Sequence, residues 1–420
     1  MKLIQYYLSG ITISCLLLTG IAHAELTWLE EESVSQVSSD SYLASAGFGT
    51  NHSGIGVDSN NIPHITWFSG SPSRVYYANR TDGTWNSPIP VTAGTEQSRN
   101  PSIAIDSTNR LHLAWHDYRN GGIDNIEIYY NTTTVGGAWN QETRLTHTVD
   151  VNNTNGDNSY CPTLLAEPSG KLHLCWYDFH WNGWRPELAY KSAANWYSWD
   201  TSESIDANKL TDSQLYQTPY PAMSLGEDGS LHLVWTDDES GFPEIYYMQK
   251  TSGSSSWTPP LQLSFDSTTC KFPAVISDPS GNAYVFWDSR INGMQSVKMR
   301  KYDALQGTWL STETVTTPES SSNSACVSVD KFNTVHLVWS DNRTGISQVY
   351  YRSLSVTGIW SDELLISNGI GIAQFPEIKV DSGNNLHCIW QNTQDGYSRI
   401  FYRCANNSTG IANWLGYPWE

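Results

Sequence analysis

A short tryptophan-containing segment recurs seven times along this chain of 420 residues. The seven tryptophans are Trp67, Trp115, Trp176, Trp235, Trp287, Trp339 and Trp390, and successive ones are 48 to 61 residues apart. In six copies a histidine stands three residues before the tryptophan, and the fifth copy has Tyr284 at that position. Self-similarity at a nearly fixed period of this length predicts one small structural unit that is copied seven times.

Each copy has the pattern of four short strands. In the sixth copy, strand-like runs at 327–330, 335–339, 347–352 and 364–366 are separated by turns rich in Asn, Asp and Gly. Runs of β-branched and aromatic residues between such turns are typical of antiparallel strands. Seven four-stranded units predict an all-β fold, a seven-bladed β-propeller.

The N-terminal residues of the mature chain complete this pattern. After Trp414 only six residues remain, which are too few for the fourth strand of the seventh copy. Residues 27–34 look like a fourth strand that has no blade before it. We therefore predict that residues 25–44 complete the last blade and close the ring, which would remove both free sheet edges. Residues 25–420 would then form a single domain.

Residues 1–24 have the features of a secretory signal peptide. They comprise a positive start at Lys2, an apolar stretch at 11–21 and the small-residue cleavage pattern Ala22-His23-Ala24. We expect the mature protein to be exported to the periplasm or the extracellular space. No later segment has the roughly 20 apolar residues of a membrane helix, so no membrane span is predicted.

Charge and cysteine content restrict the partners further. The formal net charge of −19 repels phosphate backbones, so nucleic acid is not an expected partner. Six cysteines follow the predicted signal peptide and allow about 15 pairings, which the sequence leaves open; neighbouring strands suggest two of the possible disulfides, Cys161–Cys175 and Cys388–Cys404. No Cys-x-x-Cys pair occurs, which argues against a zinc site. Acidic side chains could hold calcium, but no EF-hand spacing is present, and we expect neither a metal nor a cofactor.

Several turns resemble a known repeat motif. Residues 81–85 (Thr-Asp-Gly-Thr-Trp) resemble a degenerate Asp-box motif, and residues 306–309 and 356–360 match it less well. Together with the recurrent Tyr-Tyr and His-Leu-Val-Trp strands, the chain resembles the sialidase-like BNR-repeat propellers that bacteria secrete. That resemblance implies the propeller fold. Active sialidases of the group carry an Arg-Ile-Pro near the first blade, and this sequence has none.

The recurrent His-x-x-Trp pattern predicts core packing. Residues three apart on a strand point to opposite faces of the sheet. One histidine in each blade cannot converge with the others on a single metal ion. We expect these histidines to lie buried between blades.

The corner after the second strand offers a repeated candidate site. A D-x-R pattern occurs at Asp117 and Arg119, at Asp288 and Arg290, and at Asp341 and Arg343. These corners share a face with the links between blades, and carboxylates and guanidinium groups there could bind sugar hydroxyls or a carboxylate. Alternatively, each Asp caps its own turn and each Arg pairs with the neighbouring blade.

The third copy departs from the repeat and gives the second candidate site. Its corner and the approach to the fourth copy contain the candidate ligand-binding residues Asp178, His180, Trp181, Trp184, Arg185, Tyr216 and Tyr220. Exposed aromatic rings stack on the apolar faces of sugars, and polar neighbours bind the hydroxyls. Local packing of a long loop is the alternative explanation.

The sequence therefore predicts a secreted, monomeric, non-catalytic propeller that binds a glycan or another surface ligand at blades three and four. The first alternative is a carbohydrate-active enzyme, either a glycoside hydrolase or a polysaccharide lyase, that uses the same loop face. Its acid or base could be His180, Tyr216 or Tyr220, or a carboxylate pair such as Asp237 with Glu239. The second alternative is a scaffold for protein partners.

Overall fold

The computed structural model describes residues 26–35, 40–43, 54–122, 125–147, 158–179, 185–200, 209–211, 218–265, 269–291, 293–317 and 321–407. In these residues the regular structure is all β-strand, arranged in seven small antiparallel sheets. The first strand of each sheet packs against the first strands of the neighbouring sheets all the way round. The chain is a seven-bladed β-propeller, as the tryptophan repeat predicts.

The first three blades follow one another along the chain. Blade one contains β3 (Ser41–Tyr42), β4 (Ile55–Val57), β5 (Pro63–Ser69), β6 (Arg74–Thr81), β7 (Thr84–Trp85) and β8 (Ile89–Pro90). Blade two contains β9 (Ser98–Ile105), β10 (Arg110–Asp117), β11 (Glu127–Thr134) and β12 (Thr143–Arg144). Blade three contains β13 (Ser159–Ala166), β14 (Leu172–Asp178) and β15 (Glu187–Ala193).

The remaining blades have the same order. Blade four contains β16 (Ala222–Leu225), β17 (Leu231–Asp237), β18 (Glu244–Lys250) and β19 (Leu261–Gln262). Blade five contains β20 (Thr269–Ser277), β21 (Ala283–Ile291), β22 (Met294–Asp303), β23 (Thr308–Trp309) and β24 (Glu313–Thr314). Blade six contains β25 (Ser322–Val329), β26 (Val335–Asp341), β27 (Gln348–Leu354) and β28 (Leu364–Leu365). Blade seven contains β29 (Ile372–Val380), β30 (Leu386–Gln394) and β31 (Tyr397–Asn407), joined by β1 (Leu26–Trp28) and β2 (Glu32–Ser33).

The seven tryptophans are the largest buried side chains, and each is at most 1% exposed. They lie on the second strands, within apolar clusters that join adjacent blades. In blade two, for example, Trp115 stacks on Tyr129 of the third strand with ring centroids 6.1 Å apart. Burial of such large aromatic rings between sheets is the main stabilising contribution to each interface.

The repeated histidines are core residues, which confirms the interpretation of the His-x-x-Trp pattern. In six blades the histidine Nδ1 lies 2.6 to 2.8 Å from a tyrosine hydroxyl of the third strand. On the other side of the ring, His112 Nε2 lies 3.2 Å from Asp106 of the turn between the first two strands. In blade five, Tyr284 replaces the histidine and donates its hydroxyl to the equivalent Asp278 at 3.1 Å.

Burial makes this histidine layer sensitive to acid. It lowers the pKa of His64, His112 and His173, and it lowers the pKa of His232 from 6.5 to about 4. Because the folded state binds the proton less well than the unfolded state, each histidine adds stability above pH 6.5. That contribution is lost as the pH falls from 6.5 toward the folded pKa, by up to about 1.4 kcal/mol per pH unit for each group.

Replacing His232 with Asn tests this pH dependence. The variant should be about 1 kcal/mol less stable at pH 7, because the hydrogen bond to Tyr247 is lost. It should lose less of its free energy of unfolding between pH 7 and pH 5 than the parent protein does. Denaturant unfolding at the two pH values measures both effects. Tyr284→Phe in blade five is the control and should keep the parent pH slope; an unchanged slope for His232→Asn would contradict the assignment.

The N-terminal segment closes the ring, as the fold prediction requires. Strands β1 and β2 both pair antiparallel with β31, the last strand of blade seven. Trp28 packs edge-on against Tyr351 of blade six, with ring centroids 5.3 Å apart. Glu32 accepts two hydrogen bonds from Arg80 of blade one, at 2.7 and 3.1 Å. One short segment therefore contacts three consecutive blades.

Deleting residues 26–33 should abolish cooperative unfolding. The deletion removes the strand that covers β31 and the contacts that join blades six, seven and one. A scanning calorimeter should record a broad transition at lower temperature instead of one sharp peak. Glu32→Ala is the matched control, because a partly exposed ion pair contributes only about 0 to 1 kcal/mol. A sharp transition for the deletion variant would show that the ring is stable without its N-terminal strand.

The predicted disulfides are not present. None of the six cysteines in the described residues forms a disulfide, and all six are buried. Cys404 pairs with His387 across the sheet, whereas Cys388 pairs with Arg403, so the two cysteines point to opposite faces. Cys175 lies opposite Thr163 rather than Cys161, because the first strand of blade three is irregular between Tyr160 and Thr163.

Two further features are absent from the described residues. Within them, no helix is both long and apolar enough to cross a membrane. The same part of the chain contains no group of three or more His, Cys, Asp or Glu side chains placed to hold a metal ion.

Candidate functional site

The first strands of the blades surround an axial channel. A cavity of about 210 Å³ on the axis is lined by residues of β13, β16, β20, β25 and β29. In each blade the first strand begins where the second strand ends; Ser98 of β9, for example, pairs with Asp117 of β10. The corners after the second strands and the links between blades therefore lie on one face, which we call the loop face.

The end of the channel on this loop face is the candidate site, and we call it the axial mouth. It comprises the residues at the beginning of each first strand and the residue directly after each core tryptophan. Those described are Phe68, Arg99, Asn100, His116, Tyr160, Cys161, Tyr177, Tyr220, Thr236, Lys271, Phe272, Asp288, Asn323, Ser324, Ser340, Gln374, Phe375 and Gln391.

The first strands carry a backbone irregularity at the mouth. Six non-glycine residues there have φ between 47° and 56°, and each lies 15 residues before the core tryptophan of its blade. They are Asn100, Cys161, Tyr220, Phe272, Ser324 and Phe375. Register shifts mark the same place in blades two, three, five, six and seven. Bulges of this kind redirect side chains, and non-glycine residues with positive φ concentrate at functional sites.

The bulges of blades three, six and seven are held by the preceding blade. The backbone N–H of Cys161 donates to His116 Nδ1 at 3.3 Å. In the same way, the N–H of Ser324 donates to Asp288 Oδ2 at 2.9 Å and that of Phe375 to Ser340 Oγ at 3.1 Å. In these three cases the acceptor is the side chain of the residue directly after the core tryptophan of the preceding blade. Since Nδ1 of His116 is an acceptor, its neutral ring carries the proton on Nε2.

One half of the mouth is aromatic. The ring of His116 contacts Tyr118 and Tyr160, with centroids 5.7 and 5.3 Å apart. Tyr160 also stacks on Tyr177 at 5.5 Å and meets Phe179 edge-on at 5.9 Å. Tyr118, Tyr160 and Phe179 are half-buried and therefore keep part of each ring accessible.

The aromatic half also contains a cation and continues to the next blades. The Arg99 guanidinium lies 5.8 Å from the centre of the Tyr118 ring and donates to Ser73 Oγ at 3.1 Å. Tyr220 of blade four packs against Phe272 of blade five, with ring centroids 4.7 Å apart. In blades six and seven the residues that follow the core tryptophans are the polar Ser340 and Gln391, although Phe375 of blade seven is also at the mouth.

The phenols of the mouth are neutral at physiological pH. Burial raises the pKa of Tyr118, Tyr160, Tyr177 and Tyr220 above the ordinary value of 10. Burial likewise raises the pKa of the Cys161 thiol to about 12, so this cysteine is not a thiolate nucleophile. The half-buried residues of the aromatic half therefore offer phenol hydroxyls from Tyr118 and Tyr160 and the guanidinium of Arg99, whereas His116 is buried beneath them.

The D-x-R pattern joins two different positions, and grouping Asp288 with Asp117 and Asp341 was wrong. Asp117 and Asp341 come two residues after their core tryptophan, whereas Asp288 comes directly after Trp287. A shift of one residue on a strand reverses the face to which a side chain points. Asp288 is 3% exposed and holds the bulge of blade six, and Arg290 is exposed near the end of β21.

Asp288 retains its proton in neutral solution. Burial raises its pKa to about 8, although the backbone N–H groups of Ser324 and Ala325 act in the opposite direction. The folded state therefore binds this proton more tightly than the unfolded state, in which the pKa is near 3.8. The stabilisation from this group is full below pH 3.8 and is lost as the pH rises toward 8.

Asp288→Asn should remove this dependence, because the amide oxygen can still accept the Ser324 N–H. The variant should melt at a higher temperature than the parent protein at pH 8, and the difference should shrink toward pH 5. Each pH unit between these values contributes at most about 1.4 kcal/mol. Calorimetry at the two pH values measures the difference. Asp395→Asn, at an exposed turn, is the control. A difference in melting temperature between Asp288→Asn and the parent protein that does not change with pH would refute the assignment of a protonated Asp288.

In blades two and six the corner Asp and Arg bind each other. Arg119 donates to both carboxylate oxygens of Asp117, at 2.8 and 2.6 Å, and also to Glu142. The Arg119 backbone N–H donates to Asp117 Oδ1 at 3.0 Å, so the aspartate caps its turn. Burial raises the pKa of Asp117, but hydrogen bonds from Arg119, Trp115 and Ser98 hold it below its ordinary value. The arginine pairs within its own blade rather than with the neighbouring one.

The predicted aromatic site of blades three and four is only partly described. His180, Trp181, Trp184 and Tyr216 lie outside the described residues. Asp178 is buried and accepts hydrogen bonds from Ser159 at 2.6 Å and from Trp176 at 3.0 Å. Arg185 is half-buried, and Tyr220 lies at the axial mouth.

Sequence reasoning missed five residues of the axial mouth and its surroundings: Arg99, His116, Tyr118, Tyr160 and Tyr177. Two sequence signals could have found the mouth: the proline 14 residues before five of the tryptophans, and the His or Tyr directly after Trp115 and Trp176.

Known structures share this architecture. The ulvan lyase of polysaccharide lyase family PL25, solved with bound -[GlcA(1-4)Rha3S]-, is 10% identical with a TM-score of 0.58, and the match covers 90% of this chain and 95% of that one. The polysaccharide lyase Uly1 is 13% identical with a TM-score of 0.57, covering 85% and 90% of the two chains. The α-L-arabinanase of Penicillium chrysogenum is 14% identical with a TM-score of 0.53, covering 91% and 99%. At these identities the likeness concerns the fold alone.

Sequence comparison gives the family. No curated protein matches the chain. A family model described as "BNR repeat-containing family member" matches residues 99–368, which is well over half of the sequence. The matched region extends from the first strand of blade two to the end of blade six and includes the aromatic half of the axial mouth. The chain therefore belongs to the BNR repeat-containing family.

Proposed function

We propose that this protein binds a glycan at the axial mouth, against the aromatic half formed by blades two to four. The observation that supports the proposal most directly is the break in sevenfold symmetry at this place. Equivalent positions hold His116 and Tyr177 in blades two and three but Ser340 and Gln391 in blades six and seven. A repeat that served only to hold the ring together would not need these differences.

The chemistry of the aromatic half suits a carbohydrate. Half-buried Tyr118, Tyr160 and Phe179 present ring faces and edges on which a pyranose ring can stack. Arg99 adds a fork of N–H donors for hydroxyl or carboxylate groups. Across the mouth, the half-buried Asn323 and Gln374 of blades six and seven can bind hydroxyls on the other side of the same sugar chain.

Uronic-acid glycans are the favoured class within this proposal. The chain is strongly acidic, so a polyanion requires a local cation, and Arg99 and Lys271 both begin first strands at the mouth. Two of the solved structures with the same fold are polysaccharide lyases, and one of them was solved with a GlcA-containing fragment. Those facts are consistent with an acidic glycan but describe other proteins.

Turnover of the bound glycan is the second candidate function, favoured by the contact of His116 with Tyr160 beside Arg99. In a β-elimination, a base removes the proton next to the uronate carboxyl group, and an acid protonates the departing glycosidic oxygen. The C–O bond breaks and a carbon–carbon double bond forms in the product. Arg99 could neutralise the carboxylate, and Tyr118 and Tyr160, which pack against His116, are the groups present for the two proton transfers.

A panel of neutral and uronic-acid polysaccharides separates these functions when binding and product release are scored together. Tyr160→Ala should weaken binding by about fivefold or more, since truncating an aromatic residue that anchors a ligand typically costs more than about 1 kcal/mol. Tyr197→Ala is the matched control, because Tyr197 is 72% exposed at the opposite end of blade three. Arg99→Gln should weaken binding of the acidic glycans only. Equal binding by all three variants would refute the proposed site.

Product release decides between binding and turnover. Binding without new ends or unsaturated sugars would support a recognition protein. Unsaturated product that disappears in Tyr160→Phe, with binding retained, would support elimination at this site. Binding to protein partners with no glycan bound at all would favour the scaffold instead.

We also infer that the protein works outside the cytoplasm. The support is the signal-like segment that ends at Ala24. N-terminal sequencing of the protein isolated from the native cells should begin at Glu25, and an intact Met1 would contradict export by this route.

A further inference from the structure

Blade four contains a pocket at the place where blades two and six hold an arginine side chain. The pocket has a volume of about 420 Å³, and its walls include Lys209, Trp235, Asp237, Glu239, Tyr246 and Pro260. It lies at the corner after the second strand of blade four, on the loop face, and these residues are distinct from those of the axial mouth.

The arginines of blades two and six show what this place accepts. The Arg119 guanidinium lies 4.4 Å from the centre of the Tyr129 ring, and Arg343 lies 4.4 Å from that of Tyr350. Each binds both oxygens of the corner aspartate; Arg343 does so at 3.0 and 2.6 Å to Asp341. A planar cation is thus held between an aromatic face and a bidentate carboxylate.

Blade four keeps the same frame without the arginine. Tyr246 pairs with Trp235 as Tyr129 pairs with Trp115, and the Trp235–Tyr246 rings stack with centroids 5.8 Å apart. Trp235 Nε1 donates to Asp237, as the equivalent indoles do in blades two and six.

The turn at this corner is also conserved between the blades. The backbone N–H of Glu239 donates to Asp237 Oδ1 at 3.0 Å, which matches the 3.0 and 2.9 Å of the turns at Arg119 and Arg343. The side chain of Glu239 therefore starts from the same backbone position of the turn as the side chains of Arg119 and Arg343. The difference is the side chain alone, since Glu239 is exposed and lines the pocket instead of filling it.

The charges around the pocket favour a cation. Blade two sets Arg119 and Arg144 against Asp117, Glu127 and Glu142. The equivalent positions of blade four hold Glu239 and Gln262 in place of the two arginines, and Pro260 in place of Glu142. The pocket walls thus carry two carboxylates, Asp237 and Glu239, and one cation, Lys209.

We propose that the blade-four pocket binds a guanidinium group from outside the chain, in the place that Arg119 and Arg343 occupy in their own blades. The bound group stacks on Tyr246 and donates two hydrogen bonds to Asp237, with Glu239 completing the site as Glu142 does in blade two. Lys209 on the opposite wall limits the pocket to one cation. The guanidinium can belong to a small molecule or to an arginine side chain of a peptide.

Calorimetric titration with N-acetyl-arginine amide tests the proposal, and N-acetyl-citrulline amide is the neutral control of equal shape. The arginine compound should bind and the citrulline compound should bind at least about tenfold more weakly, because a charge-assisted bidentate pair is lost. Equal binding of the two, or no binding of either, would overturn the proposal.

Glu239→Arg is the decisive variant, because it recreates the D-x-R corner of blades two and six within blade four. Its own guanidinium should occupy the pocket, reduce binding of the arginine compound by about tenfold or more and raise the melting temperature. Glu239→Gln removes the same charge without filling the pocket and should retain most of the binding. Unchanged binding by Glu239→Arg would show that the compound binds elsewhere.

Adding Arg119→Ala to Glu239→Arg provides a second, independent test. This double variant should regain binding of the arginine compound, because the vacant place now lies over Tyr129 in blade two. A folded double variant that does not bind would contradict the stacking geometry.

Agmatine and a short arginine-containing peptide identify the source of the guanidinium group. Agmatine that binds as tightly as the peptide indicates a small molecule, and a peptide that binds about tenfold more tightly indicates a protein partner.

Discussion

The buried tryptophan of each second strand is the residue on which both the interblade core and the loop face depend. Its ring fills the space between adjacent sheets, and in blades two, three, four and six its indole N–H donates to an aspartate two residues later, at 2.9 to 3.2 Å. In blades one, five and seven that aspartate is absent, and the indole nitrogens have no hydrogen-bond partner among the described residues. A buried donor without a partner has a free-energy cost of about 1 to 3 kcal/mol. The aspartate therefore belongs first to the core, and its recurrence along the chain follows from the recurrence of the tryptophan.

This dependence explains why sequence reasoning found the fold and not the site. The spacing of the tryptophans, the alternating strands and the incomplete last copy predict the seven blades and the closure, because each reflects burial that every blade repeats. The D-x-R pattern looked like a loop-face site because it was counted from the aspartate. Counted from the tryptophan, Asp117 and Asp341 point to one face and Asp288 to the other. Asp288 is then the acceptor for a bulge N–H, a role that only the contact with blade six reveals.

The axial mouth also could not be predicted from one copy of the repeat, because its residues come from several blades. Arg99 and Tyr160 come from the beginnings of first strands, and His116 and Tyr177 from the ends of second strands in two different blades. The bulges that bring these side chains together depend on hydrogen bonds between blades, such as that from Cys161 to His116. No single copy of the repeat contains such a contact. The prolines that follow five of the six positive-φ residues are the local trace of the bulges.

A repeat protein can acquire a binding site by adding side chains or by losing them. The axial mouth is of the first kind, since His116 and Tyr177 of blades two and three stand where blades six and seven have Ser340 and Gln391. The proposed site in blade four is of the second kind, since the tryptophan, tyrosine and aspartate of the corner are present without the arginine that blades two and six place between them. Loss of this kind leaves an organised site at little cost in stability, because the indole bond to Asp237 still holds the carboxylate in place. Blades two and six, which have the arginine, then show which chemical group the blade-four pocket can bind.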